Sequence, residues 1–398
     1  MAKAPWLSII GFGEDGIEGL SAASRDALNS AEVVMAPPRH LSLLPDGDWD
    51  RVEWPVPFVD GVAQLKTLRG RAVAVLASGD PFWFGAGSVL AREFDEGEWQ
   101  AFPAPSIFSH IAAQLGWPLE KVACLGLHAA PLSRLRPHLA PGARMIVTVR
   151  DGAAVSALAR YLQDAGFGGS KLSVCEAVGG PRERVSPMSV AEAMKGGFTH
   201  PVAIGIGVLG DGDVIPRASG IPDAFFDHDG QITKRPIRAM TLSALAPRHG
   251  EHLWDIGGGS GSISIEWLLS HPSLSATAVE VDAARAARIG HNAAQLGADR
   301  LAVVHGAAPD ALAHLQPPDA VFVGGGLSEE LMDTLLNLPD GTRLVVNAVT
   351  LESEALVVAK HARKGGSLMR IEVSEAAPIG GKTGWRANFP IVQWSVTL

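Results

Sequence analysis

Asp255-Ile256-Gly257-Gly258-Gly259-Ser260-Gly261 decides the reading of this chain, because an apolar strand, a glycine turn and a new helix meet in it. Leu253-Trp254 leads in as the strand, and Ser262-Ile263-Ser264-Ile265-Glu266-Trp267 opens the helix. Glycines at such a junction let backbone approach a ligand with no Cβ in the way. Glu280 ends the next apolar run, Ala276-Thr277-Ala278-Val279. It stands roughly 20 residues beyond the last glycine, where a strand-end carboxylate takes ribose hydroxyls in dinucleotide sites. The stretch predicts a nucleoside site. A nicotinamide dinucleotide competes for it, but a pyrophosphate beside Asp255 would be repelled, whereas an ammonium would be attracted.

On either side of this unit the pattern is α/β. Downstream, strands are expected at 302–304, 320–323 and 343–346, after a helix over 240–246 that precedes the glycine unit, which gives a doubly wound sheet with helices on both faces. Upstream, strands at 7–10, 32–35 and 72–76 alternate with a helix over 18–30, and a second series at 144–149, 172–175 and 202–208 makes a two-lobed α/β region. Between 210 and 235 the periodicity collapses into Gly, Asp, Pro and isolated aromatics, the composition of a connection. Two domains are expected, at 1–210 and 218–398, as a chain of 398 residues exceeds one ordinary core.

Composition narrows the class. A hydrophobic content of 47% with 19% charged residues reads as ordered and globular. No apolar run is long enough to span a bilayer and the start reads as a strand, so a cytoplasmic location with no membrane partner is expected. A net charge of −9 argues against a nucleic-acid partner, which would want a basic stripe, while leaving room for a local basic cleft that takes acidic small molecules. Cys124 and Cys175 are too few for a disulfide framework or a metal cage and read as buried small hydrophobes; no metal is expected. His305 reads as a strand-end packing residue, since nothing beside it orients a proton transfer.

Three segments in the first half carry ligand-site chemistry together: Gly11-Phe12-Gly13-Glu14-Asp15-Gly16 between a strand and a helix, Ser78-Gly79-Asp80-Pro81 after the strand ending at Leu76, and Pro103-Ala104-Pro105-Ser106 before a helix. In this order they resemble the tetrapyrrole methylase family, over about the first 210 residues. The resemblance implies a cleft between two lobes, methyl transfer from S-adenosylmethionine to ring carbons, and cofactor contacts from Gly11, Gly13, Gly79, Asp80, Pro81 and Ser106. Glu14 stands where many relatives carry proline, a variant closer to the members that act late in corrin synthesis. Arg39 and His40, in Pro38-Arg39-His40-Leu41, are candidates for substrate carboxylates, with a solvated loop as the alternative.

In the second half, Asp255, Gly257, Gly259, Gly261 and Glu280 resemble the S-adenosylmethionine site of Rossmann-like methyltransferases. The flanks Thr233-Lys234-Arg235-Pro236-Ile237-Arg238, Gly324-Gly325-Gly326 and Val346-Asn347-Ala348-Val349-Thr350 resemble the decarboxylating precorrin methyltransferase family. His305-Gly306-Ala307-Ala308-Pro309 carries alanine where relatives often have an acidic residue, which implies a backbone-only adenine contact at Ala307 and Ala308, with Asp310 as a substitute. The joined resemblance implies one S-adenosylmethionine site per domain and a precorrin tetrapyrrole substrate. It further implies C5 methylation by the first domain, C15 methylation with loss of the ring C acetate carboxyl by the second, and homo-oligomeric assembly. Arg238, Lys382 and Arg386 are second-domain candidates for peripheral carboxylates, the last two in a glycine-rich segment read as a lid or an exposed hairpin. A tRNA base methyltransferase and a non-catalytic S-adenosylmethionine-binding scaffold are the rival readings.

Overall fold

The computed structural model describes residues 5–398 and divides them into two compact units, one reaching to Ala130 and resuming over His138–Asp213, the other comprising Pro131–Pro137 and Val214–Leu398. Among the described residues no helix is long and apolar enough to cross a membrane.

The first unit holds two sheets. One is wholly parallel: β1 (Leu7–Phe12), β2 (Val33–Ala36), β3 (Asp50–Glu53), β4 (Val73–Ser78) and β5 (Trp99–Phe102), in the order β3-β2-β4-β1-β5. Its strands are apolar at successive positions because both faces are covered. Leu7, Ile9, Val33, Met35, Val73 and Val75 enter one core, and Ile10, Phe12, Val34, Ala36, Ala74 and Leu76 enter the other. The second sheet, β6 (Ala123–Gly126), β7 (Arg144–Thr148), β8 (Lys171–Glu176), β9 (Arg184–Ser189) and β10 (Val202–Gly207), has the order β6-β7-β10-β8-β9 and is parallel only at β6–β7.

In the second unit β11 (His252–Ile256), β12 (Ser275–Glu280), β13 (Ala302–His305), β14 (Ala320–Val323), β15 (Arg343–Ala348), β16 (Ser367–Ile371) and β19 (Ile391–Thr397) form one sheet, ordered β13-β12-β11-β14-β15-β19-β16. The first five are mutually parallel and β19 runs antiparallel to β15 and β16. Leu253, Ala320, Phe322 and Val345 face one core, while Trp254, Ile256, Val321, Val323, Leu344 and Val346 face the other, the doubly wound arrangement. The remaining strands, β17 (Ser374–Ile379) and β18 (Lys382–Ala387), make a two-stranded hairpin.

Three expectations need correcting. The helix expected over 18–30 is a 3-10 turn at Gly16–Gly19 and a separate helix at Ala22–Asn29, because Ser21 breaks in as an N-cap and accepts from the Ser24 amide at 3.1 Å. The helix expected from 240 begins at Arg235, since Pro236 in the first turn needs no donor there. Cys175 is buried, but Cys124 is only half-buried.

The segment read as a bare connection is pinned. Glu266 accepts from the Gly220 amide at 2.7 Å, the Ile221 amide at 2.8 Å and Arg238 Nε at 2.5 Å; Arg238 also reaches Asp223 at 3.0 Å and the carbonyls of Thr233 and Ile221. Arg238 is 0% exposed and its guanidinium lies 4.9 Å from the Phe226 ring centroid. Removing one side of a buried ion pair leaves an uncompensated charge. Glu266→Ala is therefore expected to lower unfolding free energy by about 3–5 kcal/mol, read from urea denaturation, and Glu266→Gln by less because it keeps one acceptor for the two amides.

Candidate functional sites

Each unit carries a cavity at the C-terminal edge of a sheet, where open α/β sheets bind ligands. In the first unit the cavity encloses about 750 Å³ and draws its wall from the ends of β1, β2 and β4, from the helix Ile107–Leu115 and from the second sheet at Thr148, Cys175 and Val202. Gly13, Gly79, Arg39 and His40 lie on it. Gly11, Asp80, Pro81 and Ser106 do not, and their positions show why these residue types occur. A Cβ on Gly11 would fall 2.2 Å from the Gly79 carbonyl oxygen, so glycine lets the two ligand-facing loops touch. Asp80 accepts from the Phe82 amide at 2.8 Å and shapes its own turn, while Ser106 caps the helix Ile107–Leu115 through the Ser109 amide at 3.1 Å.

The wall is mostly aromatic and aliphatic, and its carboxylates and guanidinium are those of Glu14, Asp15 and Arg39. Glu14, almost fully buried, pairs with Arg39 and, at 3.3 Å, with Arg182 from the loop after β8. Two guanidiniums share the Glu14 carboxylate, and Asp15 adds a second, exposed carboxylate to the wall. Arg39 also donates to His40 Nε2 at 2.8 Å and Ser78 Oγ at 2.9 Å. His40 is fully buried; burial first and the Arg39 charge second push its pKa down to about 3. A ring that is neutral and accepting from Arg39 cannot also serve as a cationic carboxylate partner, which corrects the expectation for His40. Cys175, also on the wall, has its thiol pushed up to about 12 by burial and stays protonated. Arg182, His128 and His200 come to this site from distant loops and His110 from the helix Ile107–Leu115, and no spacing in the sequence groups them.

The cavity of the second unit encloses about 430 Å³ and is walled by Gly257, Gly258, Gly259 and Ser260 after β11, Glu280 at the end of β12, Ala307 and Ala308 after β13, Gly324 to Gly326 after β14, and Asn347 at the end of β15. The glycine turn is obligatory at one position: Gly257 has φ +71°, and a Cβ there would meet Gly325 N at 2.7 Å. Glu280 is buried to 4% exposure, with Oε2 accepting from the Gly259 amide at 2.8 Å and Oε1 from the Asp282 amide at 3.0 Å. Each oxygen keeps lone-pair capacity for a ligand hydroxyl.

Asp255 and Gly261 stand one layer behind this wall. Asp255 Oδ2 accepts from the Ser264 amide at 3.1 Å and Ser264 Oγ at 2.5 Å, which places a carboxylate on the first turn of the helix Ser262–Ser270, where the macrodipole favours it. Its Oδ1 is buried without a hydrogen-bond partner, and burial, outweighing the Ser264 bonds and aided by Glu280, pushes its pKa up to about 6. His305 Nε2 meets the Val281 carbonyl at 3.0 Å, a strand-end bracing contact. Asp310 is exposed and off the wall, so it does not substitute near Ala307 and Ala308.

Of the second-unit cations expected to meet substrate carboxylates, Arg238 needs correcting. Arg238 is sealed in the Glu266 and Asp223 network and cannot reach a ligand. Lys382 and Arg386 are exposed on the β17–β18 hairpin and on neither cavity wall, the alternative that a glycine-rich turn left open. Lys234, which the sequence reading left without a role, is on the wall.

Residues 7–194 match the family model of tetrapyrrole (corrin/porphyrin) methylases and residues 224–398 that of the precorrin methyltransferase domain. The chain is 48% identical over 402 aligned residues, 99% of its length and 97% of the relative's, to a protein of Sinorhizobium sp. named precorrin-6Y C(5,15)-methyltransferase [decarboxylating]. It is 40% identical, over 98% of its length and 99% of the relative's, to the protein of the same name from Mycobacterium tuberculosis. Among solved structures, the C-terminal domain of the precorrin-6Y C5,15-methyltransferase from Rhodobacter capsulatus is 51% identical, covers 46% of this chain and 100% of its own, and superposes with a TM-score of 0.45. With an α/β methylase unit and a doubly wound methyltransferase unit joined in one chain and matched along nearly its whole length, the chain belongs to the family of decarboxylating precorrin-6Y C5,15-methyltransferases.

Proposed function

We propose that the two cavities divide one reaction between them: the first unit methylates C5 of precorrin-6Y, and the second methylates C15 and removes the carboxyl of the ring C acetate. The overall conversion, two methylations with one decarboxylation in cobalamin biosynthesis, is that of the family. Its methyltransferases use S-adenosylmethionine, which supplies an electrophilic methyl on a sulfonium that becomes neutral on transfer. The observation that carries the division is that each unit has its own glycine-lined cavity at a sheet's C-terminal edge. Full-length identity to named methyltransferases disfavours the scaffold reading, and an acidic chain with a net charge of −9 gives RNA no evident basic tract.

In the second unit the residues fit a nucleoside bearing a cationic tail. Glu280 offers acceptors to the ribose, the backbone at Ala307 and Ala308 lines the base, and the glycine turn brings main chain against the ligand without side chains. Asp255, behind the turn, contributes charge rather than contact. In the first unit Gly13 and Gly79 line the cofactor's share of the cavity, and Arg39 offers the guanidinium that a peripheral carboxylate of the tetrapyrrole needs. The ring carbon is its own nucleophile, so the protein's task is alignment and exclusion of water.

Incubation with precorrin-6Y and S-adenosylmethionine, with product masses taken, tests this. The unmodified chain is expected to add two methyl groups and lose one carbon dioxide. Glu280→Ala is expected to give a singly methylated product that keeps its carboxyl, and Arg39→Ala a product lacking the C5 methyl. A single variant that abolishes both methylations would overturn the division.

Acidity gives a second test. A bound sulfonium ligand favours ionised Asp255, whose pKa in the free protein is raised to about 6. Affinity of the second site for S-adenosylmethionine is therefore expected to rise from pH 5 to pH 7 and then level off, and Asp255→Asn to remove that rise. Stability runs in the opposite sense. The raised pKa makes the ionised side chain a cost that is absent below the unfolded value near 3.8. The cost grows between that value and about 6 and is constant above, and calorimetry of Asp255→Asn against the unmodified chain reads the difference.

A further inference from the structure

Asn347 stands on the wall of the second cavity, held by two side chains with no part in the roles above. Its Nδ2 donates to Thr241 Oγ1 at 2.9 Å, its Oδ1 accepts from Gln393 Nε2 at 2.9 Å, and the same Gln393 Nε2 donates to Thr241 Oγ1 at 3.1 Å. Thr241 Oγ1 gives its own proton to the Ile237 carbonyl at 2.8 Å. Thr241 and Gln393 are buried, one on the helix Arg235–Leu245 and the other on β19, whose register sets Gln393 opposite Asn347.

Counting donors and acceptors fixes the orientation of the Asn347 amide. The threonine hydroxyl uses its proton and both lone pairs, and Gln393 uses both amide protons. Turning the Asn347 amide over would face nitrogen against the Gln393 donor and oxygen against a hydroxyl whose proton is already given away. One Nδ2 proton and one Oδ1 lone pair are left for the cavity.

The sheet order puts this group at a defined end. Glu280 ends β12, the glycine turn follows β11, and β14 and β15 lie on the side of β11 away from β12. With the ribose at Glu280, the methyl acceptor falls toward β14 and β15. The rest of the wall given by the ends of β14, β15 and β19 is Phe322, Gly324, Gly325, Gly326, Val349 and Ile391, so Asn347 brings the one polar side chain from these strands; Thr233 and Lys234, the latter 3.9 Å from Asp223, join the wall ahead of the helix Arg235–Leu245.

We infer that the Asn347 amide N–H donates to the carboxyl of the substrate's acetate side chain that leaves as carbon dioxide, with Thr241 and Gln393 as positioning residues; this rests on the assignment of decarboxylation to the second unit. A guanidinium or ammonium would hold that carboxylate by an ion pair and stabilise the state that must be left behind. A neutral donor orients it while the apolar wall solvates its charge poorly. When the bond to the carboxyl carbon breaks, its electron pair passes to the methylene carbon and the conjugated macrocycle, neutral carbon dioxide leaves, and the methylene carbon takes a proton from water to become a methyl.

The test uses the full chain, S-adenosylmethionine, and precorrin-6Y labelled with carbon-13 in that carboxyl. Labelled carbon dioxide release, the Kd for precorrin-6Y from its visible absorption, and Tm are measured together. Asn347→Ala and the isosteric Asn347→Asp, which sets a second carboxylate against the substrate's, are expected to slow release by about tenfold or more, as for one hydrogen bond to a charged group, and to weaken Kd. Thr241→Val is expected to weaken Kd and slow release less, and Thr241→Ser to restore both. Release by Asn347→Ala at the unmodified rate overturns the inference. So does a loss that tracks Tm alone, with Kd unchanged and Thr241→Ser no better than Thr241→Val. If Glu280→Ala releases carbon dioxide as fast as the unmodified chain, the assignment of decarboxylation to this cavity fails and takes the inference with it. If Glu280→Ala is inactive and Asn347→Ala is active, only the inference fails.

Discussion

The second unit depends on a close approach of two backbone turns, Gly257 after β11 and Gly325 after β14. A side chain on Gly257 would overlap the Gly325 main chain, and Gly257 also holds a positive φ. Because the turns touch, β11 and β14 can be neighbours while their connections leave in opposite directions, and the cavity opens where they part. The first unit uses the same device at Gly11 and Gly79. Both sites are thus set by where main chain meets main chain, with side chains added to that frame.

Charge is handled differently in the two cavities. In the first, Glu14 holds Arg39 and is shared with Arg182, so two guanidiniums are fixed on one carboxylate beside aromatic walls and His40 is kept neutral by its burial and by Arg39. In the second, the carboxylates of Glu280 and Asp255 are held by backbone amides and by Ser264, and Lys234 stands on the wall ahead of the helix Arg235–Leu245.

Burial decided several residues whose type alone suggested contact with substrate. Arg238 is drawn into a network with Glu266 and Asp223 that ties the segment 220–223 to the helix Ser262–Ser270. An arginine in a loop-to-helix segment reads the same in sequence whether it faces a ligand or a buried glutamate, because both partners are carboxylates. Lys382 and Arg386 illustrate the opposite outcome, since the β17–β18 hairpin keeps them in solvent.

The sequence by itself determined the elements whose signal is local. The glycine turn at 257–261, Glu280 at a strand end, and the apolar runs of β1, β4, β11, β12, β14 and β15 are all legible, because strand burial on two faces and positive φ each demand particular residue types over a few positions. Tertiary structure alone decided what those elements bring together. Arg182 meets Glu14 across 168 residues, and Thr241 meets Gln393 across 152. It also decided that Asp255 lies behind the cavity wall and that β19 enters the sheet between β15 and β16. Such contacts are set by the packing of distant segments, and a hydrogen bond or an ion pair between them leaves no periodicity along the chain from which it could be read.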